Sequence, residues 1–315
     1  MADTVNHPNY TLCDNERLLC STVDKLSNAS HLAVDLEGAN LGLAGGSLSL
    51  ISIKDASEST SQAYLIDALA FNAEQLRPIY DLLESDVVTK VMYDGRMDYS
   101  ALYHEKQVSL KKVIDLQLVD IKSRAIRGEG ADRQLERLNP SIRRKELELN
   151  QRLYTRVQKL VGLGDCLKEH DVPGSKGGVD HNEWMKRPIP ASHLQYAASD
   201  VANISLLYQK FLENEYLGKV STEESQRYIS MWRDKTPSPS DRYRLHAFLP
   251  LNIIEYDYGL TKTCEGCARG LPRSCFSATA WNVNFQELRK TLSRLSCHSC
   301  TNAGFQVGLP RLSRI

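Results

Sequence analysis

The chain has 315 residues, 42% hydrophobic and 25% charged, an ordinary balance for a soluble globular protein of one large domain plus a smaller one. No run approaches the roughly 18 apolar residues of a membrane helix. The N-terminal Met-Ala-Asp-Thr-Val-Asn-His-Pro lacks the basic-then-apolar order of a secretory signal, so a nuclear or cytoplasmic setting is expected. The formal charge is zero, yet residues 241–315 carry 10 Lys and Arg against 5 Asp and Glu, a basic tail that suits a polyanion.

In chain order, residues 14–27 place apolar groups at helical spacing behind Asp14 or Asn15 as a cap. His31 to Leu36 reads as a buried strand, and Leu48 to Ile53 alternates with period two after a Gly45-Gly46 turn, which predicts a β-hairpin. A further strand is expected over 63–67, a helix over 72–85, a strand over 87–93 and a helix beginning at 98–104. Extended structure over 108–114 and a helix from Leu116 follow. Residues 126–160 are highly charged and predict helices or a loop on the outside of the sheet. Residues 191–213 form an amphipathic helix, and Lys235 to Arg242, with two prolines, is the linker candidate. Strands that come to alternate with helices predict an α/β fold with a mixed sheet.

Three acidic patches fall on these elements. Asp35 and Glu37, two apart in a strand, face the same side. Paired carboxylates raise each other's pKa unless a cation lies between them, although a strand end reaching solvent has the same look. Asp98 follows a strand and a Gly turn, where a helix cap is the competing reading. Tyr196 and Asp200 sit at i and i+4 on one helical face.

Together and in this order, the patches resemble the DEDDy 3′–5′ exonucleases of the ribonuclease D and Werner type. Asp35 and Glu37 match the first motif, and Asp98, eight residues after Lys90, matches the second. Trp184, Arg187-Pro188, Tyr196 and Asp200 match the third. The resemblance covers roughly 10–217 and implies a ribonuclease H-like sheet flanked by helices. It further implies a two-metal hydrolysis at single-stranded RNA or DNA 3′ ends. Asp35, Glu37 and Asp200, with Asp98 directly or through water, would hold two Mg²⁺ or Mn²⁺ ions about 4 Å apart, and Tyr196 would orient the attacking water. The second motif departs from the family in having Tyr93, Asp94 and Arg96, which makes Asp94 a rival to Asp98. All five expected side chains are present, which favours an active enzyme over a nuclease fold kept only as an RNA-binding adaptor.

Five of the eight cysteines lie between Cys264 and Cys300. In a reducing compartment they read as ligands rather than disulfides. Cys264-x-x-Cys267 and Cys297-x-x-Cys300 are paired knuckles that can offer four thiolates to one structural Zn²⁺, with Cys275 and His298 as alternatives. With Phe276-Ser277, Trp281 and a helix over 285–295, they resemble the LIM-like zinc finger of the fungal adaptor that connects RNA interference to heterochromatin. That resemblance implies a surface for a protein partner. The expected organisation is an exonuclease domain over 10–217, a helical segment and linker over 218–258, and a zinc-binding domain over 259–305.

Overall fold

The computed structural model describes residues 8–239 apart from 59, 141, 175 and 176, and beyond them 247–251, 254, 261–263 and 270–272. The chain divides into two compact units, one of Met1–Arg127 with Val161–Thr236 and one of Gly128–Leu160 with Pro237–Ile315.

The first unit is built on six strands: β1 (Tyr10–Cys13), β2 (His31–Ala39), β3 (Ser47–Asp55), β4 (Ala63–Asp67), β5 (Thr89–Met92) and β6 (Val113–Asp115). Their order is β1-β4-β3-β2-β5-β6. The centre β2-β3-β4 is antiparallel, and β1, β5 and β6 pair parallel with their neighbours. The chain therefore has the expected α/β fold with a mixed sheet flanked by helices. Residues of β3 and β4 are buried at nearly every position, so the sheet is covered on both faces.

Helices α1 (Glu16–Leu26), α2 (Arg77–Glu84), α3 (Arg96–Lys106) and α4 (Leu116–Ile126) belong to the first stretch. Of the two candidate caps on α1, Asp14 and Asn15, the helix uses Asn15, whose Oδ1 accepts from Leu18 N at 3.1 Å. In the second unit, α5 (Ala131–Leu138), α6 (Arg144–Leu149) and α7 (Gln151–Tyr154) lead to β7 (Val157–Lys159), which pairs antiparallel with β8 (Phe248–Pro250). Leu138, Ile142, Leu147 and Tyr154 form its small core. Thr261–Thr263 (β9) and Gly270–Pro272 (β10) make a short antiparallel pair. The chain returns to the first unit with α8 (Leu163–Glu169), α9 (Ala191–Glu213) and α10 (Thr222–Ile229), the last closed by a capping box between Ser221 and Glu224.

Several expectations shift. β1 is an added edge strand, too short at four residues to show a period. The helix expected over 72–85 starts at Arg77, because Asn72 and Gln75 exchange side-chain to backbone hydrogen bonds in a preceding turn. The extended stretch over 108–114 shrinks to Val113–Asp115, since Gln107 (φ 58) and Lys112 (φ 49) turn left-handed. Conversely, β2 runs past Leu36 to Ala39.

That extension carries a β-bulge. Glu37 pairs with Leu50 and Gly38 with Leu48, which leaves Ser49 as the extra residue. A Cβ on Gly38 would lie 2.1 Å from Ser47 O, so the position admits only glycine. Gly38→Ala is expected to lower stability by roughly 2–3 kcal/mol. The check is a urea unfolding midpoint that falls while the slope stays constant.

Candidate active site

Asp35 and Glu37 leave β2 on the side where α9 crosses the sheet, packing against β2, β3, β4 and β5. Asp200, 2% exposed, comes from that helix. One oxygen from each of Asp35, Glu37 and Asp200 lies within 4.8 Å of the others. Three carboxylate oxygens at that spacing fit a hard divalent cation and no soft one.

Asp98 reaches the same strand from α3. Pairing between β2 and β5 stops at Ala33. The N–H of Leu36, beyond that point and between the two acidic positions, donates to Asp98 Oδ1 at 2.9 Å. Burial pushes the Asp98 carboxyl up to about 7, with the charges of Asp94 and Asp115 acting in the same direction against the backbone donors. Asp98 is thus tied to the strand that carries Asp35 and Glu37, while standing outside the three-oxygen group.

Asp94 is held elsewhere. It takes a left-handed backbone (φ 57) and forms a bidentate ion pair with the buried Arg96, with Nη2 to Oδ2 at 2.8 Å. Arg96 lies 5.0 Å over the ring of Tyr228 from α10. The Tyr228 hydroxyl donates to Gln117 Oε1, and Asp94 Oδ1 is 3.3 Å away. Gln117 Nε2 and Tyr93 Oη both donate to Val161 O, at 2.8 and 2.9 Å. Beneath the turn, Asp115 accepts from Gly95 N and Gln117 N, each at 2.9 Å, and from Asp94 N at 3.3 Å. Arg96 stood out in the sequence only as a departure from the second motif, and Asp115, Gln117 and Tyr228 did not stand out; an Asp at a strand end before a helix was the one signal for Asp115, and Tyr228 had none. Next to this network, a cavity of about 170 Å³ opens beside Asp35 and is lined by Tyr93, Asp94, Gln117, Gly162, Leu163 and Ile204.

The third segment is fastened by the bulge. Ser49 Oγ donates to Trp184 O at 2.6 Å. Arg187 grips Asp67 of β4 with two bonds of 2.7 and 2.6 Å, and its Nη1 donates to Trp184 O at 2.9 Å. Trp184 is wholly buried against His193 and close to Tyr196, which lies one helical turn before Asp200. The Trp-x-x-Arg-Pro pattern is therefore an anchor that seats the start of α9 on the sheet.

Asp120, Cys166 and His170 also converge. Here Arg124 and Arg127 already bind Asp120 at 2.7 and 3.2 Å, and His170 Nε2 lies 2.9 Å from it. Burial pushes the Cys166 thiol up, so it stays protonated. This group is an ion-pair hub joining α4 to α8, already supplied with cations. Cys264, Cys267, Cys297, Cys300 and the alternatives Cys275 and His298 lie outside the described residues.

Residues 10–139 match the model of the 3′–5′ exonuclease family. No curated protein matches the chain by sequence. Among solved structures it is similar to RNase D of Trypanosoma brucei, with 21% identity, a TM-score of 0.57 and coverage of 84% of this chain and 86% of that one. The same enzyme in complex with RNA U12 gives 21% identity, a TM-score of 0.55 and coverage of 84% and 83%. A mutant of the catalytic core of RRP6 from Trypanosoma brucei gives 18%, 0.51, and 72% and 54%. At these identities the likeness speaks for a shared fold. The chain carries a 3′–5′ exonuclease domain, and its activity is that of a 3′–5′ exonuclease. No helix among the described residues is long and apolar enough to cross a membrane.

The buried Asp115 supplies a pH test. Burial raises its carboxyl from 3.8 to about 7, with the charge of Asp94 next in effect. Between those values the folded state holds more protons at this group than the unfolded one, so the stability that Asp115 contributes is fully present below about pH 4 and is lost as pH rises through 7. The expected loss is on the order of a few kcal/mol in metal-free buffer, to which Asp98 adds in the same direction. Asp115→Asn should flatten the slope of melting temperature between pH 4.5 and 7.5.

Proposed function

We propose that the chain shortens RNA from its 3′ end by hydrolysis supported by two divalent cations, Mg²⁺ or Mn²⁺. What carries this reading is the meeting of Asp35, Glu37 and Asp200 within 4.8 Å, with Asp98 bonded to the strand between the first two. Asp35, Glu37 and Asp200 would hold the cations, with Asp98 directly or through water. Such a pair would supply stabilisation for water deprotonation and for the leaving 3′ oxygen. Tyr196, buried one turn before Asp200 and set by Trp184, would orient the attacking water; a phenol is a capable hydrogen-bonding group and a poor base at neutral pH. The preference for RNA over DNA is supported by the RNase D fold and by the RNA complex of that relative.

The catalytic domain would span 10–217, with 218–258 leading to a zinc-binding domain over 259–305, in a protein of the nucleus or cytoplasm. Cys264, Cys267, Cys297 and Cys300 would hold one structural Zn²⁺ and present a surface to a protein partner.

Matched 5′-labelled RNA and DNA oligonucleotides incubated with Mg²⁺ or Mn²⁺ test the first reading. The full-length protein should remove nucleotides singly from the 3′ end, RNA faster, and the double variant Asp35→Ala, Glu37→Ala should lose at least about 1,000-fold in rate. No degradation of either polymer with any divalent ion would overturn it. For the finger, zinc content near one per chain is expected, falling when Cys264 and Cys300 are replaced together by Ser.

A further inference from the structure

His181 stands in a single 3-10 turn, His181–Glu183, capped by Asp180, whose side chain accepts from Asn182 N at 3.0 Å. The turn packs against β2, the strand of Asp35 and Glu37. Its imidazole is held from beneath. The buried indole of Trp184 approaches His181 Nδ1 through Nε1 at 3.3 Å. An indole N–H only donates, so Nδ1 is the acceptor and the proton of the neutral ring sits on Nε2. The ring also stands perpendicular to that of Tyr196, centroids 6.1 Å apart. Trp184 is immobilised in turn by Ser49 and Arg187. His181 itself is exposed, and Nε2 has no acceptor among the described residues.

A rigid, solvent-facing N–H beside Tyr196 and on the strand of the acidic group is placed to meet substrate. We infer that His181 is a substrate-binding residue whose Nε2–H donates to a non-bridging oxygen of the 3′-terminal phosphodiester. This rests on the exonuclease reading of the site. The donor suits a phosphate oxygen because that acceptor recurs at every nucleotide, whereas reading a base edge takes a patterned set of donors and acceptors. A neutral ring also adds a hydrogen bond without placing a fixed cation among carboxylates that are to hold metal.

Three variants of the full chain separate binding from folding. His181→Asn keeps an acceptor near the Nδ1 position for Trp184 and removes the outward N–H. His181→Gln carries an amide N–H to about the reach of Nε2. His181→Phe removes both. Binding of a single-stranded oligonucleotide that the wild type degrades is measured in Ca²⁺, alongside its cleavage in Mg²⁺. The Asn and Phe variants should lose about tenfold or more in affinity and in kcat/KM. The Gln variant should recover part of it, and the Mg²⁺ half-saturation should stay at the wild-type value. With a methylphosphonate at the 3′-terminal linkage, the penalty seen for the wild type should shrink in the Asn variant by the factor that substitution costs on the ordinary oligonucleotide. Unchanged affinity in the Asn variant, or an undiminished methylphosphonate penalty, would overturn the inference while leaving the exonuclease reading intact. A wild-type protein that neither binds nor cuts the oligonucleotide would instead overturn that reading and the inference with it.

Discussion

The carboxylates of Asp35, Glu37 and Asp200 repel one another, and the rest of the first unit is arranged to hold them within 4.8 Å all the same. At that separation each pair costs on the order of 3 kcal/mol at an effective dielectric of about 20. The opposing force is apolar. Ala197, Ala198, Val201, Ile204, Leu207 and Phe211 line the buried side of α9 and press it onto the sheet. Each large side chain among them contributes about 1.5–3 kcal/mol by burial. Hydrophobic packing thus keeps an anionic cradle open, and a divalent cation would convert its repulsion into attraction.

Two polar clamps set the ends of that arrangement. At the β2–β3 bulge, Ser49 and the Arg187–Asp67 pair fix Trp184, and so the entry to α9 and the ring of Tyr196. At the other side, the Asp94–Arg96 pair, stacked on Tyr228, fixes the turn into α3 and so the reach of Asp98 to Leu36. A buried ion pair is a poor source of net stability because desolvation offsets its attraction. Its use here is geometric: directional bonds hold a turn more sharply than apolar contact does. Through Tyr228 the second clamp also ties α10, which follows the last acidic motif, to the turn into α3.

Much of this was legible in the chain. The Asp-x-Glu strand follows from a short apolar run, the hairpin from period-two alternation over 48–53, and the helix over 191–213 from its amphipathic pattern, signals strong enough to survive tertiary context. The pairing of Tyr196 with Asp200 followed from helical spacing alone. Weak local patterns misled at the edges. The stretch over 108–114 looked extended, but left-handed turns at Gln107 and Lys112 reduced it to three residues of strand. Asp94 looked like a rival ligand because its charge is visible in sequence and its commitment to Arg96 is not.

The sequence by itself determined the order of elements and the side of each on which the acidic residues stand, because both depend on neighbours within a few positions. Tertiary structure alone decided which residues those carboxylates would meet. Arg187 finds Asp67 across 120 positions, Trp184 finds Ser49 across 135, and Tyr228 finds Asp94 across 134. No local periodicity encodes such partners; they are selected by how α9 and α10 settle on the sheet. Asp35 and Glu37 became part of a metal-sized cradle when α9 brought Asp200 over the same face of β2.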